Sequence, residues 1–132
     1  MKPVYQSITK HDPDNGQIGD CFRACICSLL ELPIEKVPHF VLLPEADWWK
    51  RFVVYMEAQG YKVFCGFGAW SEPIEKVYFY IATGTSPRGF LHSVIYSQGN
   101  LIHDPHPDGG GVTNIIDYTW LEKINGLAEE VA

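Results

Sequence analysis

A cysteine at the predicted start of a helix is the first candidate for chemistry in this 132-residue sequence. Cys21 follows Asp20, a favoured N-cap residue, and apolar residues recur at helical spacing directly after it. The unpaired N–H groups of a helix's first turn carry partial positive charge, which favours the thiolate form of a thiol placed there. Because a thiolate is a strong nucleophile, this position indicates nucleophilic catalysis.

The residues around Cys21 suggest how the charge of a reacting carbonyl oxygen would be stabilised. Glycines precede it, so the backbone can approach a substrate closely, and the Cys21 N–H can donate to a developing oxyanion. Gln17 is the predicted second donor. Cys25 and Cys27 lie deeper in the helix, where the effect of the helix terminus has faded, and we interpret them as small core residues.

The candidate base is His92, and its predicted partner is Asp104. If residues 97–99 form a three-residue hairpin loop, His92 and Asp104 lie directly opposite each other on paired strands, with Cβ atoms about 5 Å apart. A two-residue loop at 98–99 would instead place Asp104 opposite Ser93, on the wrong face. The predicted pairing therefore depends on the register of this hairpin.

This arrangement would complete a set of three catalytic residues. With Asp104 bound to one ring nitrogen, the other nitrogen of His92 can take the proton of Cys21 and later deliver it to a leaving group. The other histidines receive structural interpretations: His11 and His39 as surface loop residues, His103 on the opposite strand face, and His106 in the following loop.

A metal site is the competing interpretation of the same residues. The ligand-competent side chains are Cys21, Cys25, His103, Asp104 and His106. Their spacings match no common zinc finger, knuckle or ribbon pattern. The sequence therefore predicts neither a metal nor another cofactor.

Composition narrows the class of protein. Hydrophobic residues make up 46% and aromatic residues 14% of the chain, which is enough for one packed core. The net charge is −6, from 16 acidic and 10 basic residues without a basic run, so we expect no nucleic-acid partner. The absence of a signal-like or membrane-spanning apolar run predicts a cytoplasmic protein that binds no membrane, with all four cysteines reduced.

The elements that must position these residues follow from periodicity. A first helix of about three turns is predicted from Cys21 until Pro33 ends it, and a second from near Pro44 to Gly60. One or two helical turns are predicted at 118–124. The predicted strands are residues 61–67, 77–83, 90–96 and 101–104.

Helices followed by strands predict an α+β fold with an antiparallel sheet. The whole chain, residues 1–132, is expected to form a single domain, with residues 1–14 as an irregular arm.

Taken together, the Gly-Asp-Cys helix start, the His-Ser-Val-Ile-Tyr strand and the Ile-His-Asp-Pro turn resemble papain-like cysteine peptidases. The likeness is closest to the bacteriocin-processing peptidase domains of peptide-exporting ABC transporters, which cut after a double-glycine leader. Related stand-alone bacterial and phage proteins also look similar. The resemblance implies a papain-like fold, with Cys21 as nucleophile, His92 as base and Asp104 as the residue that orients it.

The sequence departs from that family at two points. The family's oxyanion glutamine normally stands six residues before the nucleophile, where this chain has Asn15, whereas Gln17 lies four residues before it. We favour Gln17 and leave Asn15 open. The chain also has no transporter segments, so the family's substrate is not carried over.

The favoured hypothesis is a cysteine peptidase or thiol hydrolase that cleaves a peptide or isopeptide bond of a peptide or protein substrate. The resemblance alone implies a preference for small residues such as Gly-Gly. The alternatives are an acyltransferase or amidase with the same three residues, and a non-catalytic protein-binding module on this fold.

Overall fold

The fold is α+β, as predicted. A computed structural model describes residues 1–42 and 47–124, and within these ranges two α-helices accompany a five-stranded antiparallel sheet. The elements are α1 (Cys21–Leu30), α2 (Trp48–Ala58), β1 (Tyr61–Phe67), β2 (Tyr80–Thr85), β3 (Leu91–Ser97), β4 (Asn100–His103) and β5 (Thr113–Lys123).

The first helix begins at Cys21, as its apolar spacing predicts. Asp20 is its N-cap residue, but the carboxylate does not cap the helix. It accepts hydrogen bonds from Ser7 Oγ at 2.6 Å and from the Ile8 N–H at 2.8 Å instead. Asp20 therefore fixes the N-terminal arm against the helix start.

The second helix and the strands deviate modestly from their predicted limits. The predicted start of α2 near Pro44 lies outside the described residues, and the helix ends at Ala58, close to Gly60. The prediction for β1 is confirmed, whereas β2 begins three residues later than predicted, at Tyr80. These differences do not change the order of the elements.

The last element is a strand, so the predicted helical turns at 118–124 are wrong. The strand order is β1-β5-β2-β3-β4, which places β5 at the centre between β1 and β2. Tyr118, Thr119 and Trp120 are all buried. A strand that is covered on both faces carries a continuous apolar run, which cannot be distinguished from a short helix by periodicity alone.

The hairpin between β3 and β4 also differs from its prediction. Its loop has two residues, Gln98 and Gly99, with φ values of 52° and 81°. This pair of positive φ values is characteristic of a type I′ turn, which matches the twist of the strands it joins. The three-residue loop predicted at 97–99, and with it a direct pairing of His92 with Asp104, is therefore wrong.

Both faces of the sheet are covered by apolar side chains. Ile81 and Ile95 pack with α1 and α2 in one cluster, while their chain neighbours Ala82 and Val94 belong to a second cluster. The alternation of side chains along a strand explains this division.

Within the described part of the chain, no helix is long and apolar enough to cross a membrane.

Candidate active site

The structure brings Cys21, His92 and Asp104 together. Cys21 is the first residue of α1, His92 is the second residue of β3, and Asp104 directly follows β4. His92 Nε2 lies 2.6 Å from Asp104 Oδ1, and Cys21 lies close enough to the same imidazole to raise its pKa. His92 therefore bridges the thiol and the carboxylate.

A bulge in β4 explains why His92 meets Asp104 despite the unexpected loop. Tyr96 pairs with Leu101, but Ile95 pairs with His103, so Ile102 is an extra residue in β4. If this register continued for one residue, Asp104 would lie beside Val94, which shares a strand face with His92. The two-residue turn thus moves Asp104 to the strand face opposite His92, and the extra residue of the bulge returns Asp104 to the same face as His92.

Asp104 is buried and accepts three hydrogen bonds. Its Oδ1 accepts the His106 N–H at 2.9 Å in addition to the His92 bond, and its Oδ2 accepts the Gly111 N–H at 2.8 Å. Burial acts to raise the pKa of Asp104, but these hydrogen bonds outweigh it and lower the pKa. The carboxylate is therefore held in its charged form beside His92.

The imidazole of His92 is shifted towards its protonated form. Burial acts to lower its pKa, but the hydrogen bonds to Asp104 and Cys21, together with their negative charges, raise the pKa of His92 to about 9. Because Asp104 occupies Nε2, the nitrogen left for the thiol is Nδ1. At neutral pH the site can thus hold a proton on His92 next to Cys21.

The other thiols lie in environments that favour the neutral form. Burial raises the pKa of Cys25 well above its ordinary value, with the neighbouring negative groups adding to the effect. Burial also raises the pKa of Cys27 to about 11, against the opposing charge of Arg23. Cys65 is exposed in β1, yet burial of part of its surface and the nearby Asp117 raise its pKa as well.

Neither predicted side-chain oxyanion donor lies at this site. Gln17 is exposed and forms an isolated β-bridge with Asp12. Asn15 is also exposed, and its Nδ2 donates to Asp12 Oδ2 at 2.8 Å. Neither residue is among the described residues that line the cavity at Cys21.

Gln6 is the side-chain amide that lines this cavity among the described residues, although no local sequence pattern marks it. It is buried, and its Nε2 donates to Ile8 O at 2.7 Å. A Cβ built on Gly19 would lie 3.6 Å from that Nε2, so the amide packs against the backbone two residues before Cys21. The Oε1 atom is buried without a hydrogen-bond partner among the described residues.

The backbone of Gln6 connects the arm to the acid side of the site. Its N–H donates to Pro105 O at 3.1 Å, one residue after Asp104. Gln6 therefore lies between the segment that carries the nucleophile and the segment that carries the acid. The position of Gln6 could not be predicted from sequence spacing, because the arm folds back on itself before it leads into α1.

A cavity of about 780 Å³ opens beside the three residues. Its walls come from the N-terminal arm, the first turns of α1 and α2, the strands β1, β2, β3 and β5, and the loops that follow β2 and β4. The aromatic residues among its lining are Phe22, Trp48, Trp49, Phe67 and Phe90. Such a mostly apolar cavity with a few polar groups is typical of a ligand-binding site.

Two further histidines line the cavity. His11 accepts a hydrogen bond from the Gly19 N–H at 3.1 Å, and its ring packs edge-on against Phe90. The His106 ring lies edge-on to that of His92, with 6.3 Å between ring centroids. The sequence predicts a loop position for each of these histidines but does not mark either of them as part of this site.

The described residues show no metal-binding group. No three histidine, cysteine, aspartate or glutamate side chains among them are placed to hold a metal ion together.

Comparisons with protein-family models, with curated proteins and with solved structures gave no match. The interpretation of the site therefore depends on its own geometry.

Proposed function

We propose that this protein is a thiol hydrolase of papain-like type that cleaves a peptide or isopeptide bond. The observation that supports this most strongly is the hydrogen bond between His92 and Asp104, with Cys21 close enough to raise the pKa of the same imidazole, at the wall of a large cavity. Each member has the chemistry that its position requires: a thiol at a helix start, an imidazole with a raised pKa, and a fixed carboxylate.

The reaction would proceed through an acyl-enzyme. The sulfur of Cys21 attacks the substrate carbonyl carbon, and the C–N bond breaks as His92 gives its proton to the leaving amine. Water then adds to the thioester while His92, now neutral, takes one of its protons. Collapse of this intermediate expels the Cys21 thiolate and releases the carboxylic acid, so the thiolate and the protonated His92 that began the cycle are restored.

The developing oxyanion needs donors close to Cys21. The backbone N–H of Cys21 lies in the first turn of α1, where N–H groups have no acceptor within the helix. Gln6 is the side-chain amide that lines the cavity nearby. We assign these two groups as the oxyanion donors in the proposed mechanism, in place of Gln17.

The test is selective alkylation of Cys21. Brief treatment with substoichiometric iodoacetamide between pH 5.5 and 8, followed by intact-protein mass spectrometry and peptide mapping, should give one label at Cys21. His92→Ala should slow this labelling about 10-fold or more at pH 6, because the imidazolium that stabilises the thiolate is lost. Cys21→Ala should abolish it.

Cys65 provides the matched control, since it is an accessible thiol with a raised pKa. Cys65→Ala should leave the rate at Cys21 unchanged. Labelling that is equally slow at both thiols, or confined to Cys65, would contradict the nucleophile assignment. If Cys21 labels, a p-nitrophenyl ester of an N-acyl amino acid should then give a burst of nitrophenol as the acyl-enzyme forms.

A further inference from the structure

The floor of the cavity carries a row of polar side chains across the sheet. Phe67 pairs with Asp117, Asp117 with Thr83, and Thr83 with Ser93, so these four residues share one sheet face. Thr83 Oγ1 lies 2.9 Å from Ser93 Oγ, and Asp117 lies directly beside Thr83 on the neighbouring strand. The row therefore fixes a carboxyl group in the cavity floor, outside the three catalytic candidates.

Asp117 has no cationic partner among the described residues. No ion pair joins it to a lysine, arginine or histidine in residues 1–42 and 47–124. Its partial burial raises its pKa, although the hydrogen bond from Thr83 opposes that effect. A carboxylate in mostly apolar surroundings is stabilised by a cation that enters the same space.

The cavity walls suit a cation carried on an apolar stem. Trp48 and Trp49 are partly buried at the start of α2, while Phe67 and Phe90 remain exposed, at 69% and 43%. Aromatic faces attract ammonium and guanidinium groups, and they also pack against the methylene groups of lysine and arginine. The net charge of −6 acts in the same direction, because it attracts cationic substrates from solution.

Arg88 is the permanently cationic residue among the described residues that line the cavity, and it belongs to a different element from Asp117. It lies in the loop between β2 and β3, next to Phe90. Asp117, by contrast, lies in the central strand β5 between β1 and β2. The two histidines of the lining, His11 and His106, belong to the arm and to the loop after β4.

We propose that this cavity selects a lysine or arginine side chain of the peptide substrate, with its stem against the aromatic residues and its charge on Asp117. This inference rests on the proposed function, because it takes the cavity beside Cys21 as the substrate site. It names the substrate class as basic peptides. A Gly-Gly preference, by contrast, rests on the family resemblance alone and would leave the cavity largely empty.

The experiment uses thiol-alkylating peptide ketones of matched shape. Acetylated dipeptidyl acyloxymethyl ketones carry lysine, norleucine, glutamate or glycine at one position and glycine at the other, in both orders. Norleucine replaces the ammonium-bearing end of lysine with an apolar one. Rates of covalent labelling at Cys21 are measured by mass spectrometry, with iodoacetamide as the reference reagent that fills no side-chain site.

In the wild type, the lysine ketone should label at least about 10-fold faster than the norleucine ketone at one of the two positions, the gain expected of a charge-assisted hydrogen bond. Asp117→Asn should remove this preference, which is measured as the ratio of the lysine and norleucine labelling rates within the variant. Asp14→Asn changes the net charge equally, but Asp14 is exposed and outside the cavity lining, so this variant should retain the preference.

The outcomes separate the two proposals. If iodoacetamide does not label Cys21 selectively, the proposed function fails. If it does, but lysine shows no advantage over norleucine or glycine at either position, the inference about the substrate is overturned while the nucleophile remains. Faster labelling by the glutamate ketone would also overturn it and would assign selectivity to Arg88. The comparison of the lysine and norleucine ketones on the wild type tests the inference about the substrate even if Asp117→Asn fails to fold.

Discussion

Gln6 and Gln17 are the two candidates for the side-chain oxyanion donor, and they differ in position rather than in chemistry. Gln6 is buried at the cavity wall, whereas Gln17 is exposed beside Asp12. We predict that Gln6→Ala lowers the turnover of the nitrophenyl ester about 100- to 1000-fold, the range typical for loss of an oxyanion donor. Gln17→Ala should leave turnover unchanged.

A purely structural role for Gln6 is excluded by a second measurement. Alkylation by iodoacetamide forms no oxyanion, so Gln6→Ala should label Cys21 at the wild-type rate while its turnover is low. Gln6→Glu keeps the shape of the side chain but lacks its N–H donors, and it should show the same split. A parallel loss of labelling and turnover would instead indicate that Gln6 holds the site together, and loss of turnover in Gln17→Ala would restore the sequence-based assignment.

The three central residues were predictable because each is marked by its local sequence. Cys21 follows an N-cap residue at the beginning of a helical pattern. His92 lies on β3 and Asp104 directly follows β4, and a short turn joins these two strands. Gln6 and Asp117 have no such local mark. Gln6 reaches the site because the arm folds back, and Asp117 because β5 inserts between β1 and β2.

At the scale of the elements, the β3–β4 hairpin shows how a correct contact can follow from an incorrect register. The predicted three-residue loop and the observed combination of a two-residue turn with a bulge at Ile102 differ by two residues in pairing. An even shift keeps every side chain on the same face, since the side-chain period of a strand is two. Bulges have no strong sequence signal, so the contact was predictable while the pairing was not.

Asp104 organises the loop that follows β4 as well as the imidazole. Its carboxylate accepts the backbone N–H groups of His106 and Gly111, so removing it leaves two buried donors without their acceptor. We predict that Asp104→Ala lowers the free energy of unfolding by roughly 2 to 4 kcal/mol, in addition to reducing turnover. Urea denaturation monitored by tryptophan fluorescence measures this loss.

Two variants separate the structural from the catalytic effect of Asp104. Asp104→Asn keeps an acceptor for the loop and should be more stable than Asp104→Ala, yet it should turn over as slowly because the imidazole loses its charged partner. Asp108 belongs to the same loop, but its side chain is 73% exposed. Asp108→Ala should cost less than about 1 kcal/mol. Wild-type stability in Asp104→Ala would show that the loop does not depend on this carboxylate.

For the whole molecule, the N-terminal arm connects the two halves of the site. The Lys2 N–H donates to Ser28 O in α1, and His103 Nε2 lies 2.8 Å from Val4 O, next to β4. Further along the arm, the Gln6 N–H donates to Pro105 O and the Ile8 N–H donates to Asp20 Oδ1. The arm therefore links α1, which carries Cys21, to β4, which precedes Asp104. The geometry of the site depends on the arm as well as on α1 and the sheet.

Because the site is buried between these elements, its protonation state contributes to the stability of the whole fold. The pKa of His92 is raised from about 6.5 to about 9, so the folded protein holds this proton more tightly than the unfolded chain does. The resulting stabilisation is fully present below pH 6.5 and is lost as the pH rises through 9. Asp104, whose pKa is lowered, contributes stability that is lost only as the pH falls through its folded value.

We predict that the wild type loses about 1 to 3 kcal/mol of unfolding free energy between pH 6.5 and 9.5 in excess of His92→Gln, which has no titrating group at this position. Urea denaturation at half-unit pH intervals measures the difference. Cys21→Ala should show a smaller loss than the wild type, because the hydrogen bond and charge of Cys21 contribute to the raised pKa of His92. Parallel curves for the wild type and His92→Gln would mean that His92 binds its proton no more tightly in the folded protein, and the thiolate–imidazolium pair of the proposed mechanism would lose its support.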